Sequence, residues 1–340
     1  MNVPRRATLI VGIIGLSLSG LGWVLNADEF FAGWTAAVTL LTAWSVGSMA
    51  LLLIHALTGG RWGEALQPVL RMGVCSVPLL WPSVLPVFLG LRALYPWARP
   101  GQSFPNHFYL NVPFFELRGA IYLISWLVLG WLTLAVRDLT KIAAAGLVVL
   151  ALTASFAAID TTMSLDPHFV SSVYGMLAAA GMGMLALSVA VLLTAGQADT
   201  DAREDFGKLL LALVVLWTYL DFMQLLIIWQ SDLASEAPWY IARSRGYWGA
   251  IRLVIAAGHF VLPFFLLLSP AWQRSPRVVL TVGGLLIAME VVRAWWIVLP
   301  ALGFTIGWID AACVIGLGAC ALYFSAWAVN RAPIREAGHV

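Results

Sequence analysis

Apolar residues in this chain run in long blocks separated by short polar connections. A helix rises about 1.5 Å per residue, so about 20 mostly apolar residues cross a hydrocarbon core about 30 Å thick. Ten blocks meet that length: 7–25, 34–57, 69–94, 114–136, 142–162, 170–195, 209–229, 248–268, 277–299 and 305–329. The connections leave no room for a soluble domain. The expected fold is all-α: one integral membrane domain over residues 1–340, with about ten transmembrane helices. The first block follows Arg5 and Arg6 as a signal peptide would. It ends in Trp23-Val-Leu-Asn26 without a small-x-small cleavage site, so it reads as the first helix.

Composition agrees. Only 11% of the 340 residues are charged and 61% are hydrophobic, too few charges to coat a water-facing surface. Ten crossings put both termini on one side, and the distribution of arginine and lysine chooses which. With a cytoplasmic N-terminus the inner side carries Arg5, Arg6, Arg61, Arg71, Arg137, Lys141, Arg203, Lys208, Arg274, Arg277, Arg331 and Arg335. The outer side carries Arg92, Arg99, Arg243, Arg245 and Arg252. That is twelve against five, with Arg118 and Arg293 left inside helices. No basic run points to nucleic acid.

Two connections on the outer side, 95–113 and 230–247, mix aromatics, proline and a few charges. They are too polar to insert and too aromatic for free linkers, so they are expected to lie along the outer interface. The acidic stretch 198–206 reads as a solvated inner loop. Cys75, Cys313 and Cys320 show no CxxC spacing and sit in apolar blocks, where a thiol behaves as a small hydrophobe.

Ionisable groups inside the blocks carry the chemistry. Each costs about 2.5–3.5 kcal/mol to insert, so each needs a reason to be there. Asp221, His259 and Glu290 lie eleven to thirteen residues from the ends of their blocks, near the bilayer midplane. Gln224 is one turn outward of Asp221, and Arg293 one turn outward of Glu290 on the same face. A second cluster belongs near the outer surface: Glu116 and Arg118, Asp160, then Asp166 and His168 in the following loop. His55 stands near the inner end of the second block. Such groups, bridged by water, can relay protons. The alternatives are plain: Glu290 and Arg293 as a self-neutralising pair, His259 as a hydrogen bond between helices, Asp166 as a cap for the next helix. Asp221 has no cation three or four residues away and resists such an account. Of His55, His107, His168, His259 and His339 only His259 is at mid-depth, so paired axial ligands for a haem are not expected. Walker, Rossmann and HExxH patterns are absent from the sequence, which argues against nucleotide and zinc chemistry.

Three stretches resemble one family. They are Ser164-Leu-Asp-Pro-His-Phe-Val-Ser-Ser-Val-Tyr-Gly175, Trp217-Thr-Tyr-Leu-Asp-Phe-Met-Gln-Leu-Leu-Ile-Ile-Trp229, and Ser231-Asp-Leu-Ala-Ser-Glu-Ala-Pro-Trp-Tyr240 with Arg243 after it. In order and spacing these are similar to the signatures of the ActF family, the second NrfD-like (polysulfide reductase-like) membrane subunits of bacterial alternative complex III. That complex is a quinol:cytochrome c, or other acceptor, oxidoreductase. Phe169 stands where the family has Trp, and Ser231-Asp232 where its loop has Asn. The resemblance implies two NrfD-like four-helix bundles with flanking helices, in a bacterial inner membrane, both termini cytoplasmic. It implies a second NrfD-like subunit, an iron–sulfur subunit and cytochrome c subunits as partners besides the lipid bilayer. No covalent or metal-ligated cofactor is expected. Quinone or menaquinone is the small molecule of that chemistry, with His168, Glu116 and Arg118 as candidate contacts. The expected role is a proton path through Asp221, Gln224, His259, Glu290 and Arg293, leaving by Asp160, Asp166 and His168, in support of quinol oxidation. Two other readings stand beside it. One is a proton-coupled carrier acting alone, although Pro78, Pro82 and Pro86 interrupt the third block with only Pro263 as a later counterpart. The other is a structural anchor whose polar groups glue helices together.

Overall fold

A computed structural model describes residues 5–102, 104, 106–231 and 237–329. Arg331, Arg335 and His339, and residues 232–236 of the third motif, lie outside the described residues. Among the described residues ten helices are long and apolar enough to cross a bilayer. They are α1 (Arg5–Leu25), α2 (Ala27–Thr58), α3 (Arg61–Leu89), α4 (Val112–Ala135), α5 (Thr140–Leu165), α6 (Tyr174–Thr194), α7 (Thr200–Ser231), α8 (Gly246–Leu267), α9 (Pro276–Leu302) and α10 (Trp308–Val329). The chain is a multi-pass, all-α membrane protein. The end of the bundle where α1 begins is called proximal below, and the other end distal.

Two boundaries move from their sequence expectation. The stretch 198–206 is not a loop: α7 begins at Thr200, and the Asp199 carboxylate accepts from Ala202 N at 2.7 Å as a cap. Glu204 then pairs with Lys208 one turn on, at 2.8 Å, and with Arg274 at 2.7 Å. Likewise α3 starts at Arg61, eight residues before its apolar block, so Arg71 lies within the helix. Hydropathy locates the edge of the hydrocarbon, whereas capping and ion pairs carry a helix beyond it. The glycine pair Gly59 and Gly60, with φ of 67° and 104°, makes the turn that ends α2. His55 bonds that turn, with Nε2 2.9 Å from Gly60 O.

Helices α2–α5 form one four-helix group and α6–α9 a second, with α2 packed on α6 between them. α1 and α10 pair with each other on the flank, against α2. Lipid is as apolar as leucine, so helices in a membrane associate through small residues that let backbones touch. At the centre Gly47 of α2 lies on Met182 O of α6, where no Cβ would fit. On the flank a Cβ on Gly15 would come 2.5 Å from Gly316 Cα.

The two aromatic connections bury part of their length. They fold into the distal ends of the two groups. Tyr95 and Trp97 are 0% and 6% exposed, Trp239 and Arg243 3% and 2%. Helix C-termini leave carbonyls without partners, and these segments supply the donors. Tyr95 OH donates to Thr161 O at 2.9 Å and Trp97 Nε1 to Ser164 O at 3.1 Å, at the end of α5. Arg243, in the short helix Ala237–Ser244, donates to Trp296 O at 3.2 Å and Ile297 O at 2.7 Å near the end of α9. Each connection plugs the fourth helix of its own group. This demand for donors, invisible to a hydropathy reading, buries Tyr95, Trp97 and Arg243.

Candidate functional site

Pro263 in α8 has no N–H, and its ring crowds the carbonyl four residues earlier, that of His259. The helix answers with a π-helical stretch, Ala256–Val261, of the kind that gathers at functional sites. That bulge holds His259 against α9, where Glu290 and Arg293 stand one turn apart. His259 Nε2 is 3.0 Å from Glu290 Oε1, and Arg293 reaches Glu290 Oε2 through Nε at 3.0 Å and Nη2 at 2.9 Å. His259 is 0% exposed and Glu290 2%, so both carboxylate oxygens are engaged in a dry site. Bonding to a carboxylate assigns a proton to Nε2. His259 Nδ1 is buried without a partner among the described residues, as is Trp217 Nε1, whose ring centroid lies 3.9 Å from the imidazole. Gly181 of α6 gives the guanidinium its space: a Cβ there would overlap Arg293 Nη2 and stand 3.3 Å from Glu290 Oε1.

Asp221 is not in that triad. It lies one turn distal to Trp217 on α7, partly buried, and makes no hydrogen bond or ion pair among the described residues. It lines a cavity of about 330 Å³ whose wall also holds Arg252, Arg293 and Gln224. The cations that α7 lacks locally thus come from α8 and α9. Arg252, assigned to the outer side by the charge count, stands in that wall, with Nη1 donating to Ser244 Oγ at 2.7 Å. Gln224 joins a small network, accepting from Ser171 Oγ at 2.8 Å and donating to Tyr240 OH at 3.1 Å. Phe222 and Val261, on the same wall, are 56% and 41% exposed, so the cavity opens sideways between α7 and α8 toward the hydrocarbon.

The cavity continues into the first helix group, where Asp160 and Tyr122 line it. Arg118 grips Asp160 with two parallel bonds, Nε to Oδ2 at 2.8 Å and Nη2 to Oδ1 at 2.9 Å. Tyr122 OH adds a third, to Oδ2 at 2.8 Å. Arg118 also donates to Tyr109 O at 3.0 Å and lies 3.8 Å from that ring's centroid and 4.4 Å from that of Phe114. Between the two groups Tyr174 OH donates to Thr162 Oγ1 at 2.7 Å, both on the cavity wall.

Three expected members stay outside. Asp166 accepts from His168 N at 3.2 Å in a local turn, and the exposed His168 ring rests 5.8 Å from Phe104. Glu116 is exposed on the opposite face of α4 from Arg118. His168, Glu116 and Arg118 therefore form no common pocket, because Arg118 turns inward to its carboxylate. Neither Asp166 nor His168 continues the chain beyond Asp160. Sequence reasoning missed Tyr122, Tyr109, Arg252, Trp217 and Gly181. Of these Arg252, a cation inside an apolar block, and Trp217, which opens the second motif, carried a readable signal.

At the distal end of the second group, Arg243 has three carbonyl partners and, among the described residues, no carboxylate partner, its third bond running from Nη1 to Trp239 O at 3.1 Å. Carbonyls offset only part of the cost of burying a cation, and burial pushes its pKa down to about 10. Among the described residues no three His, Cys, Asp or Glu side chains converge to hold a metal ion.

Compared with known proteins, the chain matches no family model and no curated sequence.

Proposed function

We propose that this chain is a membrane subunit of a quinol-oxidising complex resembling alternative complex III, and that it provides a proton path through the bilayer. One observation carries the reading. A single cavity has the unpartnered carboxylate of Asp221 and the Arg293 guanidinium on one wall, and Asp160 with Tyr122 on another. Through Arg293 it adjoins the buried Glu290–His259 pair. Titratable groups at mid-membrane depth around one chamber are the arrangement a proton relay needs. Asp221 takes and releases the proton, Glu290 and His259 hold it on the dry side, and Asp160 under Arg118 faces it at the distal end. The chain carries no redox centre of its own in this reading. Electrons pass through an iron–sulfur subunit and cytochrome c subunits, beside a second NrfD-like subunit that oxidises quinol or menaquinol. Both termini then face the cytoplasm of a bacterial inner membrane, in keeping with the arginine and lysine distribution.

The test is the ratio of protons translocated to electrons transferred by the complex in vesicles. Asp221→Asn is expected to leave the complex assembled and lower the ratio. An unchanged ratio removes Asp221 from the mechanism.

A stand-alone carrier ranks second. Both helix groups contain a helix that departs from α geometry, α3 at Val77–Leu79 and α8 at Ala256–Val261, and broken helices mark carriers. The breaks fall on the second helix of one group and the third of the other, not on equivalent positions. Purification separates the two: a subunit leaves the membrane with cytochromes and an iron–sulfur protein, a carrier alone.

A further inference from the structure

The geometry points to Arg293 as a two-position guanidinium that moves between Glu290 and Asp221, so that one carboxylate is balanced by the cation while the other takes the proton. This rests on the proton-path reading and supplies its gate.

In the structure Arg293 is on Glu290. Its side chain is 14% exposed against 2% for that of Glu290, so the guanidinium borders the chamber while the carboxylate does not. Nε and Nη2 both reach Oε2, and Nη1 has no partner among the described residues. Asp221 lies on the same wall with neither a bond nor an ion pair among the described residues. Trp217 stands on the same wall, its ring 5.7 Å from Arg293 Cζ and one turn proximal to Asp221 along α7. An aromatic face at that distance attracts a cation and gives the side chain a resting place on the way.

Consequences follow from burial. A carboxylate in a dry site keeps its charge only beside a cation or several donors. With Arg293 present, Glu290 is a salt-bridged anion and Asp221 is the carboxyl that holds a proton. When Arg293 swings to Asp221, that carboxyl gives up its proton, and Glu290 keeps only His259. The proton then passes to the Glu290–His259 pair. The other groups facing this exchange are each bonded elsewhere. Arg252 of α8 is tied to Ser244, Gln224 of α7 to Tyr240 and Ser171, and Tyr174 of α6 to Thr162. Arg293 is the one charged group whose position decides which acid is neutral.

Gly181 sets the balance. Its missing side chain is the space that Nη2 occupies beside Glu290, and the clash that a Cβ would make is with the free end of a flexible side chain. Gly181→Ala therefore pushes Arg293 away from Glu290 into the chamber without replacing a titratable residue.

The experiment uses the full chain in lipid nanodiscs and infrared difference spectroscopy of protonated carboxyl groups, with no quinol and no partner subunit. In the parent protein the protonated-carboxyl band is expected to vanish with Asp221→Asn. In the Gly181→Ala background it is expected to vanish with Glu290→Gln instead. Should Gly181→Ala fail to fold, Arg293→Met serves: without the cation both acids are protonated and the band roughly doubles. A band that belongs to Asp221 alone in the Gly181→Ala protein, or in the Arg293→Met protein where Gly181→Ala does not fold, overturns the two-position guanidinium. It leaves the proton path itself to the vesicle measurement.

Discussion

Phe169 stacks face to face on Trp239, ring centroids 4.3 Å apart and planes within 14°. Trp239 in turn carries the Arg243 guanidinium 4.0 Å from its centroid. The two rings come from separate motif loops, one before α6 and one before α8, some 70 residues apart in sequence. The stack joins them into a lid over the distal end of the second helix group, with Trp239 also on the cavity wall.

That lid can be weighed. Phe169 is 2% exposed and touches Tyr174 and Tyr240 as well as Trp239. Phe169→Ala is expected to cost about 3 kcal/mol, as buried Phe truncations do. Its neighbour Val170 is 60% exposed, and Val170→Ala should stay within about 0.5 kcal/mol. Thermal unfolding in detergent compares the two. Equal midpoints would show that the stack contributes nothing to the lid.

The Arg118–Asp160 pair is buried on both sides, with side chains 8% and 3% exposed. Removing one member of such a pair leaves a bare charge, at a cost of about 3–5 kcal/mol. Asp160→Asn should therefore unfold far more readily than the parent, because Arg118 loses its counter-charge. The double replacement Arg118→Met with Asp160→Leu should recover most of the loss. A double variant no better than Asp160→Asn alone means that shape, not charge, governs this site.

How much of this could be read in the sequence varies with the distance between the residues involved. Ten apolar blocks became ten helices because burial in hydrocarbon is a local property of each segment. The Glu290–Arg293 pair was readable for the same reason, being one turn apart on one helix. Arg118 and Asp160 are 42 residues apart; their positions in the blocks put them at one depth, but nothing local to α4 or α5 announces the bond between them. His259 was legible as a buried imidazole, but its partner Glu290 lies 31 residues on, and the π bulge that aims it came from Pro263 acting on the backbone. Asp221 looked isolated because only α7 was in view. The starts of α3 and α7 were misplaced because Arg61, Glu64 and the acidic turn after Asp199 are polar and helical at once.

The contact between the two helix groups depends on Gly47 lying on Met182 O, a backbone atom that cannot rotate away. Gly47→Val should force α2 from α6 and destabilise by about 3 kcal/mol or more. Gly20 of α1 has nothing within 4 Å of an added Cβ, and Gly20→Ala should be silent. Size-exclusion chromatography in detergent reads the difference as loss of the monodisperse peak. A normal peak for Gly47→Val would mean that the two groups do not rely on this contact.

The two mid-membrane carboxylates should part company in a stability measurement. Glu290 is held by Arg293 and His259 in a site with no water access, so Glu290→Gln removes the counter-charge of Arg293 and one strong acceptor. The expected loss is about 3 kcal/mol. Asp221 makes no bond among the described residues, and an amide fits the same space beside the chamber. Asp221→Asn should change stability by less than about 0.5 kcal/mol. A carboxylate kept at mid-membrane that supports nothing structural is retained for what it does, since its insertion costs about 2.5–3.5 kcal/mol. Chemical unfolding in mixed micelles gives both numbers on one scale. A large loss in Asp221→Asn would make Asp221 a structural group and withdraw the strongest physical argument for its part in proton movement.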